Sequence, residues 1–152
     1  MTTFHPLPKQ RAQMEIDALV DAEAFGRIQL GFAPADMQDK WHMRMEEGQW
    51  LRCYRSWTGH CIYEARFEWG ETAEGEGYTI PEAWVNRDPA QYRNEDTAYD
   101  ARMFIYLVRR LLLGHNVTLP APNALSHRHK LVHEKHVMGE KDNGRPSVIL
   151  LD

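Results

Sequence analysis

"KWHMRMEEGQWLRCYRSWTGHCIYEARFEW", Lys40 to Trp69, is the stretch whose reading decides the fold. Apolar and polar residues alternate in three short runs rich in aromatics, and the breaks fall at "EEGQ" and "TG". Period-two alternation bounded by glycine turns predicts strands joined as hairpins. The segments are 40–45, 50–57 and 60–69. Side chains alternate across a strand, so a two-residue turn determines every cross-strand pair. With Glu47 and Gly48 in the first turn, Met45 faces Trp50, Met43 faces Arg52 and Lys40 faces Arg55. With Thr58 and Gly59 in the second, Trp57 faces His60, Arg55 faces Ile62 and Cys53 faces Glu64. Together the two turns predict an apolar face of Trp41, Met43, Met45, Trp50, Tyr54, Tyr63, Ala65, Phe67 and Trp69. The opposite face collects Lys40, His42, Arg44, Arg55, Trp57, His60, Glu64 and Arg66. Arg52 is the exception, a charge on the apolar side that reaches water only by snorkelling to an edge.

Outward from this block, "GETAEGEG" reads as a polar loop and "YTIPEAWV" as a fourth strand, which Pro81 restricts to an edge or a bulge. A helix over 97–113 follows. Asp96 or Thr97 caps it, Asp100 favours its dipole, Met103, Phe104, Leu107, Val108, Leu111 and Leu112 form its apolar stripe, and Gly114 ends it. On the N-terminal side, Ala12, Ile16, Leu19, Val20 and Ala24 recur at helical spacing, which predicts a helix over 9–25 with Pro8 in its first turn. "LGFAPADMQD" is a loop, "SHRHKLVHEKHVM" (126–138) a short histidine-rich helix, and "SVILLD" a last strand. The predicted class is α+β: a single domain, 1–152, in which a four-stranded, mostly antiparallel meander over 40–86 is covered on one face by helix 97–113 and flanked by an N-terminal helix. The five tryptophans and the apolar sheet face fit either a tight core or a homodimer surface.

Composition narrows the function. The 152 residues are 43% hydrophobic and 26% charged, as in a globular chain. A formal net charge of −4 argues against holding long duplex nucleic acid by its backbone, yet leaves room for a local basic patch and a small anionic ligand. No apolar run is long enough to span a bilayer and the first residues lack a signal-peptide pattern, so a cytoplasmic protein without a membrane partner is expected. Two cysteines, Cys53 and Cys61, fall on opposite faces in the predicted register and are not expected to bridge.

The polar face carries the chemistry. Guanidinium groups grip phosphate oxygens, an indole stacks on a base, and imidazoles exchange protons near neutral pH. His60 and His42 as acid and base, with Arg55 beside them and Lys40, Arg44, Trp57 and Arg66 holding the ligand, make a metal-independent phosphodiesterase or ribonuclease acting on a small nucleotide. Charged sheet faces are also common where no ligand binds, and Trp57 with His60 can simply lock a hairpin. Asn86 and Arg87, leaving the fourth strand before Asp88 and Pro89, are a second ligand-binding pair or else an Asx-type turn. A third candidate is a zinc site of His129, His133 and His136, which share one face of a helix but lack the HExxH arrangement and have Lys130 and Lys135 nearby. Cys53, near Glu64 and His42 in this register, is a fourth and weaker candidate, because a buried thiol is inert. The alternative to enzymatic action is a protein-interaction module, such as a small inhibitor or immunity factor, with Trp and Arg as its hot spots. No other cofactor is called for.

Overall fold

The computed structural model describes residues 3–120 together with the backbone of 148–151. The described strands are β1 (Arg11–Met14), β2 (Asp17–Val20), β3 (Trp41–Glu46), β4 (Trp50–Arg55), β5 (Cys61–Thr72), β6 (Gly75–Asn86) and β7 (Val148–Leu151). All seven belong to one sheet in the order β3-β4-β5-β6-β2-β7, with β1 also on β6, and every ladder between them is antiparallel. The helices are α1 (Ala22–Gln29) and α2 (Thr97–Leu107), the latter continued by a π-helical turn, Val108–Leu112. The α+β class and the meander β3–β6 are as the sequence indicates. The strand number and the N-terminal helix are not.

The expected helix 9–25 is instead two strands and the start of α1. Its helical spacing competed with a stricter alternation: Met14, Ile16, Ala18 and Val20 are buried while Gln13, Glu15 and Asp17 are exposed. Period two won because both strands complete the edge of β6, β1 along Ala83–Asn86 and β2 at Tyr78. Asp21 then starts α1 by accepting a hydrogen bond from the Ala24 amide at 2.8 Å. The stretch "GETAEGEG" is likewise not a loop. It carries β5 and β6 on to a two-residue turn, with Thr72 paired to Gly75. Pro81 sits inside β6, opposite the irregularity between Arg66 and Glu68 and in the gap between β1 and β2, where no ladder needs its missing N–H.

The register of β4 is the main correction. Glu47 and Gly48 both take positive φ, 57° and 76°, as a tight hairpin turn requires. Gln49 is one residue more than a two-residue turn, so Glu46 pairs with Trp50 and Met43 with Cys53. At the other end Arg55 pairs through the main chain with His60, and a bulge leaves Ile62 unpaired, so Cys53 meets Tyr63 and Arg52 meets Glu64. Each ladder is thus one residue out of the predicted step along Leu51–Cys53. The two slips cancel between β3 and the part of β5 beyond Ile62, which keep their predicted faces, while β4 turns over together with His60 and Cys61 before the bulge. Leu51 and Cys53 point into the core with Met43, Tyr63, Ala65, Ala83 and Met14, all buried. Arg52, the exception in the predicted register, lies on the polar face.

The covered face of the sheet packs under both helices. Asp96 caps α2 by accepting from the Tyr99 amide, Phe104 meets Tyr63 edge-on at 6.2 Å, and Gly114 takes φ 70° beyond the helix end. From α1, Phe25 stacks on Tyr78 at 3.8 Å and contacts Phe67 at 5.4 Å. Gly31 closes α1 at φ +69°, and a Cβ there would overlap the Met43 carbonyl. This close approach lays Phe32 against Met43 and aims the 33–40 loop at the far end of β3 and β4.

Candidate functional site

On the open face, charge is matched by charge. Arg52, at the centre, contacts Glu46 at 3.0 Å, Glu47 at 2.9 Å and Glu64 at 3.1 Å. Burial alone would lower its pKa, but the three carboxylates outweigh that and hold it above the usual arginine value. Arg44 pairs with Glu46 at 3.6 Å, Arg11 with Glu64 at 3.8 Å, and Arg66 with Glu68 at 3.3 Å and Glu82 at 3.5 Å. The Tyr54 hydroxyl donates to Glu46 at 2.9 Å and the Trp84 indole to Glu82 at 2.7 Å. Arg44 and Arg66, expected to grip a phosphate, are therefore rungs of an ion ladder.

The N-terminal segment covers one end of this face. Phe4 packs on His42 at 4.9 Å and Tyr54 at 4.6 Å, beneath the Arg44 guanidinium at 4.7 Å. Burial, followed by the Arg44 charge, lowers the His42 pKa. Leu7 joins Tyr54 and Cys61 in a small second core. Burial pushes both thiols up, and they occupy opposite faces as expected: Cys53 is in the main core and Cys61 pairs with Tyr54 on the other side. Cys53 is thus not beside His42 and Glu64, and it is inert.

Arg55 and His60 leave this face together. Arg55 pairs with Trp41 across β3 and β4, on the covered side, and lays its guanidinium over the Trp41 ring at 4.4 Å. His60 precedes Cys61, so alternation turns it away from the open face, where it forms a parallel bridge to His5. His42 and His60 are two strands apart, roughly 10 Å by strand spacing, and on opposite faces. No acid–base pair is assembled from them.

Lys40, Arg55, Trp57 and His60 are neighbours through the main chain at the sheet end where the 34–40 loop meets the 56–59 turn, but their side chains part: Arg55 lies over Trp41, the His60 ring meets His5 and the Trp57 indole reaches Met37. The loop and turn are tied by Ser56 Oγ donating to the Asp39 carbonyl at 2.6 Å, the Ser56 amide to Lys40 at 3.0 Å, and the Trp57 indole to the Met37 carbonyl at 2.9 Å. Trp57 nevertheless remains 67% exposed and Met37 74%. Between them lies an open groove of about 440 Å³ lined by Pro34, Ala35, Asp36, Met37, Ser56 and Trp57. Among the described residues neither Lys40 nor Arg55 has a carboxylate in ion-pair range. Met37 and Pro34 were missed from sequence because "LGFAPADMQD" carries no signal beyond that of a loop.

Asn86 and Arg87 are structural. Asn86 is fully buried, donating to the Cys61 carbonyl at 3.0 Å and to Gln91 at 2.8 Å while accepting from the Asp88 amide. This is the Asx-type turn weighed from sequence. Arg87 pairs with buried Asp100 at 2.7 Å and bonds Thr97 at 2.8 Å. Tyr92 and Asn94 also donate to Asp100, at 2.5 and 2.9 Å; burial and the Asp100 bond push the Tyr92 pKa up to about 12. The cluster fastens the β6–α2 connection. His129, His133 and His136 lie outside the described residues. Among the described residues no group of three or more His, Cys, Asp or Glu could hold a metal, and no described helix is long and apolar enough to cross a membrane. No family model, curated protein or solved structure matches the chain.

Proposed function

We propose that the protein is a non-catalytic interaction module whose contact surface is the sheet end around Trp57 and Met37, with a protein as its partner. The single observation that carries this reading is an exposed tryptophan and methionine beside an open groove, anchored by the Trp57–Met37 hydrogen bond. Trp, Met and Arg are the residue types enriched at interface centres, and a preorganised indole costs little entropy on binding. The partner presents an apolar side chain to the groove and a carboxylate to Lys40 or Arg55. The phosphodiester-cleaving reading loses its support with the separation of His42 and His60 and the pairing of Arg44 and Arg66. Its binding half, a small anionic nucleotide stacked on Trp57, uses the same surface and is distinguished by the test, as is a homodimer.

Untagged protein recovered under native conditions is analysed by native mass spectrometry, alongside Trp57→Ala and Trp69→Ala. The expected result is one protein partner retained at near-stoichiometric yield by wild type and Trp69→Ala, with affinity reduced at least about tenfold in Trp57→Ala. Retention of a nucleotide, a second copy of the chain alone, or a partner held equally by Trp57→Ala rejects the proposal.

A further inference from the structure

His5 and His60 face each other across the parallel bridge, their ring centroids 5.5 Å apart and their planes at 41°. The pairing is held by the backbone: the His5 amide donates to Gly59 at 2.8 Å and the Cys61 amide to His5 at 3.2 Å. His60 Nδ1 is buried without a hydrogen-bond partner, which is uncommon for a ring nitrogen in a protein interior. His5 is exposed. Two imidazoles sharing one metal at about 2.0–2.1 Å place their ring centres roughly 5 Å apart, close to the spacing here. The neighbouring cation, Arg55, is drawn the other way, onto Trp41.

The geometry points to a two-histidine site for a divalent transition metal at His5 and His60, completed by solvent ligands. Imidazole pairs favour late first-row ions, copper(II) most strongly, over calcium or magnesium. The bound ion satisfies the orphaned nitrogen and staples the segment bearing Phe4 and Leu7 to the start of β5. This site uses neither the Trp57 indole nor the groove beside Met37.

The full-length chain, untagged and carrying His129→Ala, His133→Ala and His136→Ala so that those side chains contribute no ligand, is titrated with copper(II) by calorimetry. One equivalent is expected to bind. Adding His5→Ala or His60→Ala weakens binding at least about tenfold, because each removes one of two ligands. The His5 bridge is made by main-chain atoms, so His5→Ala is expected to keep the fold, checked by an unchanged melting temperature without metal. Absence of binding in the triple variant, or equal binding with and without His5 and His60, overturns the site.

Discussion

The open face of the sheet and its Trp57 end contain the same kinds of residue and use them in opposite ways. On the open face, Arg11, Arg44, Arg52 and Arg66 each contact a carboxylate, and the ladder spends its charge internally. At the Trp57 end, neither Lys40 nor Arg55 has a carboxylate in ion-pair range among the described residues, while an indole and a thioether stand in solvent. The contrast teaches that residue type alone does not identify a binding surface; what matters is whether the fold has already supplied a partner.

The contrast is broken most severely by Arg52→Ala. It strips Glu64, whose side chain is only 9% exposed, of its closest cation and is expected to destabilise the protein by about 1–3 kcal/mol in urea unfolding. A loss within about 0.5 kcal/mol would show that the ladder is a solvated decoration.

A smaller effect is expected from pH. The folded-state pKa of His42 is lowered, so the unfolded chain takes the proton more readily. The stability contributed by neutral His42 is complete above the unfolded value of 6.5 and is lost as pH falls from there through the folded value. The dependence of unfolding free energy on pH between 7 and 5 should therefore be shallower in His42→Phe than in wild type, and an identical slope would remove His42 from the account. The smallest effect belongs to the other region: Trp57→Ala should change stability by no more than about 0.5 kcal/mol, since the side chain is exposed. A larger loss would make Trp57 a structural residue.

Much of the architecture was legible in the sequence. The alternation of 40–69, the Glu47–Gly48 turn and the apolar stripe of 97–113 predicted the meander and its covering helix. What escaped depended on single residues. Gln49 and Ile62 each add one position to a ladder, and alternation alone does not reveal which residue a bulge leaves out. The N-terminal strands were hidden because Ile16, Leu19 and Val20 satisfy a helical spacing as well as an extended one, and the free edge of β6 decided between them. For the site, alternation placed Arg55 and His60 on the open face, and the extra turn residue Gln49 and the bulge at Ile62 take both off it. Phe4 and His5 were out of reach, since nothing in the local pattern of residues 3–10 indicates where that segment docks.

The ladder follows from the way β4 is turned, and the separation of His42 from His60 from the bulge that turns the start of β5 with it. Site-resolved thiol labelling of the folded protein, read by mass spectrometry, tests this directly. With Cys53 between Met43 and Tyr63 in the core, its labelling should require unfolding and slow as stability rises. Rapid labelling of Cys53 in the folded protein would put it on the open face and contradict the register on which the account stands.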